Sequence, residues 1–316
     1  MWRFRHAFGL PEGTPVVSLG EGETPLVWAE AYQRRTAFKL EYLNPSASFK
    51  DRGSAPLLAF LLGRGVAAAI EDSSGNAGAS FAAYAARAGI QAQVFIPDSA
   101  SGPKRRQIEA YGAQVVRILG PRSNAAHAAR READNGAVYA SHAYLPFNLP
   151  GYATLAYELV DQLGTAPGTV ILPAGQGGLL LGIARGFQAL RRAGVISQIP
   201  RLVGVQARAC APLWAVDQFG AEGLAWVSES QTLAEGIRVR YPLRGDAVLQ
   251  AVKASLGAIL AVDEEDILPG RDELAHRGFY VEPTSAVVWA GLAQLDRSFP
   301  DPVVTVLTGS GFKYNL

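Results

Sequence analysis

The sequence predicts an α/β fold of two lobes, each a mainly parallel sheet with helices on both faces. Three observations predict it. Short apolar, β-branched runs alternate with amphipathic stretches along almost the whole chain. Glycine and proline mark the joints, as at Gly89, Pro97, Gly112, Gly120, Pro121 and Gly164. At 316 residues the chain is long for a single core, which makes two lobes the expectation.

Strands are expected at 37–43, 66–70, 91–96, 114–119, 138–140, 169–172, 201–206 and 303–307. Helical patterns fall at 55–62, 78–88, 103–111, 124–135, 152–163 and 178–193. Strands separated by a helix need crossover connections, and crossovers make neighbouring strands parallel. Periodicity is weakest over 211–246, which reads as loops near the mouth of a site. No internal repeat, low-complexity tract or heptad pattern interrupts this order.

Composition narrows the function classes. Charged residues make up only 18% of the chain and apolar ones 49%, the balance of a buried globular protein. A net charge of +1 gives no electrostatic argument for nucleic acid or an anionic membrane as partner. Cys210 is the only cysteine, which excludes an intrachain disulfide and fits a reducing compartment. The four histidines lack ligand spacing, so no metal is expected. The first ten residues carry no signal-peptide pattern, and the apolar run 55–62 is too short to span a bilayer. A cytoplasmic protein acting on a small molecule is expected.

Lys50 stands in the run Asn44-Pro45-Ser46-Ala47-Ser48-Phe49-Lys50-Asp51-Arg52-Gly53, just before an apolar helix. The positive end of a helix disfavours a cation, and partial burial favours the neutral amine. A neutral amine is a nucleophile able to condense with an aldehyde, as in the anchoring of pyridoxal phosphate. Ser73-Ser74-Gly75-Asn76-Ala77-Gly78 follows a strand and opens a helix. Backbone N–H groups and two hydroxyls there make a carboxylate cradle, and Asn76 adds an amide for a phenolate oxygen. The plainer alternative is a turn in which Ser74 or Asn76 caps the helix.

Pro173-Ala174-Gly175-Gln176-Gly177-Gly178-Leu179 repeats the strand–glycine–helix arrangement and suits a phosphate. Gly175, Gly177 and Gly182 loosely match a dinucleotide fingerprint as well. That use wants an acid closing the next strand, where Gln206 and Ala207 stand instead. The run 303–307 delivers Thr308 to the carboxyl edge of a sheet, where a hydroxyl can meet a pyridine nitrogen. Glu235-Gly236 and Glu282-Pro283-Thr284-Ser285 are further polar joints, with Thr284 a candidate helix cap.

In this order the motifs resemble those of the fold-type II pyridoxal phosphate enzymes, with the nearest likeness to the threonine synthases. The resemblance runs over nearly the whole chain, through Asn44 to Gly53, Ser73 to Ala77, Gly175 to Leu179, Ala234 to Arg238, Glu282 to Ala286 and Leu307 to Gly311. It implies pyridoxal 5'-phosphate as cofactor, held between the lobes, with Lys50 as its covalent anchor and catalytic base. Asn76 would meet the ring oxygen, Gly175, Gln176, Gly177 and Gly178 the phosphate, and Thr308 the ring nitrogen. Ser73, Ser74 and Gly75 would hold the substrate carboxylate, with Glu235 and Asn148 also on the substrate side. A large domain of 1–53 and 147–316, a small domain of 54–146, and a homodimer follow from the same likeness.

The chain also departs from that pattern. Asn148 stands where the family has an arginine, Ala77 replaces a threonine, and Ser310 replaces a common histidine. The loop from Gly175 to Leu179 is closer to that of serine/threonine dehydratases. Arg238, Lys104 or Arg105 are alternative sources of a cation for a substrate phosphate, or simply solvated surface charges. The expected function is therefore a carbon–oxygen lyase of the threonine synthase type, with O-phospho-L-homoserine as leading substrate. An L-serine/L-threonine ammonia-lyase, without room for a large regulatory domain, and a β-replacement enzyme stay open. So does a cofactor carrier without turnover, although it would need neither Lys50 nor the loop around Ser73.

Overall fold

In the computed structural model, which describes residues 1–100 and 102–314, alternating elements follow one another as the patterning requires. They begin with β1 (Leu26–Ala31), β2 (Arg34–Lys39), α1 (Asp51–Gly63), β3 (Ala68–Glu71), α2 (Asn76–Ala88) and β4 (Gln91–Pro97). Then come α3 (Pro103–Ala110), β5 (Gln114–Ile118), α4 (Arg122–Asp134), α5 (Leu149–Leu163), β6 (Thr169–Pro173), α6 (Gly178–Arg192) and β7 (Arg201–Ala207). Last are α7 (Pro212–Phe219), α8 (Gly245–Ala254), β8 (Ala258–Val262), α9 (Ile267–His276), α10 (Pro283–Ala293) and β9 (Val303–Val306).

The chain divides into two units. The first comprises residues 1–22, 43–151 and the chain from 312 onward. Its sheet is β3-β4-β5, wholly parallel, with a further parallel bridge from Ile70 to Tyr139. One core gathers Leu58 of α1, Phe81 and Tyr84 of α2, Ile96 of β4 and Ile108 of α3. A second places Ala125, Ala128 and Ala129 of α4 with Ile70 and Phe95. Alanines at that i, i+3, i+4 spacing line one face of α4 and let its backbone come close to the sheet.

The second unit comprises residues 23–42 and 152–311. Its six strands run β1-β2-β9-β6-β7-β8, antiparallel only between β1 and β2. In β6 every residue is buried, as expected of a central parallel strand. The expected small domain, 54–146, lies inside the first unit. So do residues 1–22 and 43–53, which the likeness placed in the larger domain. Short hydrogen bonds hold both stretches there: Tyr84 Oη donates to Glu21 Oε2 at 2.7 Å, and Ser80 Oγ to Asp51 Oδ1 at 2.6 Å.

Several boundaries differ from the sequence expectation. The strand expected at 37–43 starts at Arg34 and ends at Lys39, and residues 41–43 form a 3-10 turn. The run 138–140 makes a single bridge. Strand β1 carried no turn signal, because its hairpin turns at Tyr32 and Gln33, non-glycine residues with φ of 50° and 57°. Helix α10 is buried at every position from Pro283 to Leu292, so it has no polar face to give a 3.6-residue period. Helix α7 lies within the stretch expected to be loops. Among the described residues no helix is long and apolar enough to cross a membrane.

Candidate functional site

Lys50 occupies the N-cap position of α1, where the sequence placed it. The turn before it is tight: Ala47 adopts φ of 64°, and its N–H donates to Asn44 O at 2.7 Å. Asp51 fastens this turn. Its carboxylate accepts the Ser46 N–H at 2.6 Å, the Ser46 hydroxyl, and the Ser80 hydroxyl of α2 at 2.6 Å. Lys313 Nζ donates to Ser46 O at 2.7 Å. Lys50 is half-buried, with Nζ 4.8 Å from the centre of the Phe49 ring. Asp51 thus ties the turn before α1 to α2.

Burial raises the Asp51 pKa to about 6, against the opposing pull of its bonds to Ser46 and Ser80 and of the Lys313 charge. A carboxyl whose folded pKa lies above its unfolded value of 3.8 contributes stability that is complete below that value. The contribution is lost as pH rises through about 6. A shift of roughly two pK units corresponds to about 3 kcal/mol. Asp51→Asn removes the titration, so its stability relative to wild type should climb by about 2 kcal/mol from pH 4 to pH 7.5. Urea unfolding at each pH measures this; a flat difference would mean that Asp51 titrates as an ordinary carboxyl.

The serine-asparagine loop leaves β3 at its carboxyl end. Gly75 is the N-cap of α2 and Asn76 its first helical residue, so neither Ser74 nor Asn76 is the cap. Ser73 is buried, and its Oγ accepts the Gly75 N–H at 3.2 Å. Ser74, Gly75 and Asn76 are half-buried at the helix start, where N–H groups lack intrahelical partners. Asn148 is buried in the 3-10 turn Pro146–Asn148. Its Nδ2 donates to His142 O at 2.6 Å, while its buried Oδ1 has no hydrogen-bond partner among the described residues.

Sequence reasoning missed a buried acid pair beside this loop. Glu71 closes β3 at 1% exposure, with Oε1 2.5 Å from His142 Nδ1. Asp72 accepts the Tyr139 hydroxyl at 2.6 Å. Burial, then the Asp72 charge, pushes the Glu71 pKa well up, opposed by Lys50, His142 and Arg122. Burial and the two carboxylates likewise raise the Tyr139 phenol. The available signal was two consecutive acids ending an apolar strand.

In the second unit β6 and β9 are parallel neighbours, so the residues following each emerge at one edge of the sheet. After β6 come Gly175, Gln176 and Gly177, with Gly177 the N-cap of α6 at φ 74°. A Cβ on Gly175 would lie 2.9 Å from Ile237 Cα, and one on Gly177 2.4 Å from Val248 Cγ2. Only glycine fits both places, and the cradle they leave opens onto the first N–H groups of a 15-residue helix. That fits a phosphate. Gln176 turns its Oε1 to the Leu243 N–H at 3.1 Å, leaving its backbone to the cradle. After β9, Thr308 is buried with Oγ1 2.9 Å from Ser285 Oγ, and Ser285 Oγ also accepts the Thr308 and Gly309 N–H groups.

Thr284 is not the cap of α10, which is Glu282. Its Oγ1 instead accepts the Gly236 N–H at 3.0 Å and fixes the turn Glu235–Ile237, where Glu235 is exposed. Gln206, where a dinucleotide site would want an acid, is buried and donates to Ala174 O at 2.9 Å. Arg105 pairs with Glu109 one turn along α3. Each unit therefore gathers its own set: Lys50, the Ser73 loop and the Glu71 pair in the first, the glycine cradle and Thr308 in the second.

A family model described as "Pyridoxal-phosphate dependent enzyme" matches residues 17–309. Threonine synthase from Mycobacterium tuberculosis is 36% identical over 319 residues, covering 96% of this chain and 86% of that protein. Threonine synthase from Methanocaldococcus jannaschii is 32% identical, covering 99% and 80%. Among solved structures, maize serine racemase superposes with a TM-score of 0.81 at 20% identity, over 99% of this chain and 93% of that one. A threonine deaminase from T.th. does so at 0.78 and 24% identity, over 100% and 99%. These two likenesses show the fold, which is that of the fold-type II enzymes.

Proposed function

This chain belongs to the pyridoxal-phosphate dependent enzymes, and from that premise we propose a carbon–oxygen lyase of the threonine synthase type. The leading reaction converts O-phospho-L-homoserine to L-threonine and phosphate. The near-full-length identity to threonine synthases of a bacterium and an archaeon carries this reading. In it Lys50 anchors the cofactor, the backbone of Gly175, Gln176, Gly177 and Gly178 holds its phosphate, and Asn76 and Thr308 meet its ring. Ser73, Ser74 and Gly75 hold the substrate carboxylate, and Glu235 and Asn148 stand on the substrate side. By the same likeness the protein is a cytoplasmic homodimer, a mass that light scattering reads against the 33.5 kDa chain.

When bound, pyridoxal phosphate supplies an electron sink for a carbanion at the substrate Cα. Lys50, as a neutral amine, would take the Cα proton. The N–H groups opening α2 would hold the substrate carboxylate and so restrict how its Cα is presented. Thr308 offers a hydroxyl and no fixed negative charge, so nothing in its side chain holds a proton on the ring nitrogen. A weaker sink favours prompt loss of a leaving group over amino transfer. Purified protein should therefore show amino transfer to added keto acids at least about 100-fold slower than its lyase turnover. Comparable rates would overturn the role given to Thr308.

One observation favours a second reading, an L-serine or L-threonine ammonia-lyase. Asn148 carries no charge, and its amide is committed to His142 O, so it offers a substrate phosphate no cation. Assays with the two substrate classes separate these readings. Phosphate released from phosphohomoserine supports the first; ammonia and keto acid from serine or threonine alone would replace it with the second.

A further inference from the structure

A cleft of about 400 Å³ lies in the second unit, between the β1–β2 hairpin and the turn that leads into β9. Small-molecule sites run from roughly 300 to 1,000 Å³, so its size suits a small molecule. Arg34 opens β2, Asp301 stands just before β9, and these strands are parallel, which puts the cleft at the amino edge of the sheet. Thr308 and the glycine cradle stand at the carboxyl edge. The lining sets Arg34, Arg35 and Arg297 against the single acid Asp301, a net charge of +2. Arg34 is held in place: Nε donates to Asp301 Oδ1 at 2.7 Å and Nη2 to Phe299 O, and its side chain is only 10% exposed. Its Nη1 is buried and has no hydrogen-bond partner among the described residues. Arg297 Nη2 donates to Gln33 O at 3.2 Å, and the Arg35 guanidinium lies 4.9 Å from the centre of the Trp28 ring. Neither Arg35 nor Arg297 has a carboxylate partner among the described residues.

A lone exposed arginine needs no explanation. Here two unpaired guanidinium groups share one concavity with a third that is fixed and has a bare nitrogen. Like charges gathered in this way repel one another unless an anion sits among them. A guanidinium presents a planar fork of N–H donors that matches two oxygens of a phosphate or carboxylate. Charge separates these two anions: a single carboxylate answers one of the unpaired cations, whereas a phosphate, a dianion above about pH 6, answers both. We propose that the cleft binds a phosphate dianion, free or as a small phosphomonoester, through Arg35 and Arg297, with Arg34 as the fixed third guanidinium. Asp301 does not oppose it, since its charge is already matched by Arg34. Trp28, 39% exposed, is the wall against which the organic part of an ester packs.

Full-length protein with its cofactor bound is titrated by calorimetry with inorganic phosphate and, separately, with phenyl phosphate, chloride holding the ionic strength constant. Wild type should bind both probes. Arg35→Ala combined with Arg297→Ala should remove one binding site per chain, or raise its Kd at least about tenfold. Both arginines are exposed, so the double variant should fold, and an unchanged urea midpoint checks this. Trp28→Ala tells the two sources apart: a loss of about fivefold or more for phenyl phosphate alone assigns the cleft to an organic phosphomonoester, and equal affinities throughout assign it to free phosphate. Lys50→Ala should bind both probes as wild type does, which keeps this result independent of the lyase reading. Phosphate binding that the double variant leaves within twofold of wild type belongs to the glycine cradle or the Ser73 loop and overturns the proposal, as does the absence of binding in wild type.

Discussion

Lys50→Ala should remove the visible, borohydride-reducible absorbance of protein-bound cofactor and lower turnover at least about 10^3-fold. Two roles end with one side chain. On the proposed roles, the variant would lack both the covalent anchor and the base for the Cα proton. The fold should survive, because the turn carrying Lys50 is fastened by Asp51 to Ser46 and Ser80, and by Lys313 to Ser46 O. Borohydride reduction followed by peptide mapping should place the label on Lys50 in wild type and nowhere in the variant. A retained label would give the anchor to another lysine. Added cofactor should still bind weakly if Gly175 to Gly178 hold its phosphate as proposed, since that cradle is independent of Lys50.

The parts of the site legible in sequence were those whose chemistry is local. A lysine before an apolar helix, glycines between a strand and a helix, and a hydroxyl ending a strand each declare themselves within ten residues. The structure places Lys50 at the N-cap of α1, and Gly177 at φ 74°, a value that favours glycine. What stayed hidden was set by contacts distant in sequence. Glu71 finds His142 71 residues away, and Thr284 serves Gly236 at a separation of 48, so neither role is written near the residue that plays it. Buried all round, α10 shows the same limit for the fold: without a solvent face, amphipathic period carries no signal. Strand β1 was lost for a third reason, a hairpin whose strained turn uses tyrosine and glutamine in place of the usual glycine or asparagine.

Gly78→Ala should be the most damaging single methyl in the site, destabilising the protein by about 3 kcal/mol or more and weakening cofactor binding with it. On helix propensity alone the change should help by about 1 kcal/mol, since alanine is the better helix former. Sterics decide otherwise. The added carbon would sit 1.8 Å from Ser73 O and 3.2 Å from Ile108 Cδ1, and the first of these is backbone that cannot rotate away. Relief requires moving Ser73, hence the strand end that carries Glu71 and the loop that carries Asn76. Gly75→Ala is the matched control. Its φ of −105° suits any residue, and its nearest neighbour would be Ser73 Oγ at 3.8 Å, so stability should change by less than about 1 kcal/mol. Urea midpoints and cofactor titrations on the pair read both effects. Equal midpoints for the two variants would mean that the turn from Ser73 to Gly78 yields to a methyl group, and that its shape is not what presents Asn76.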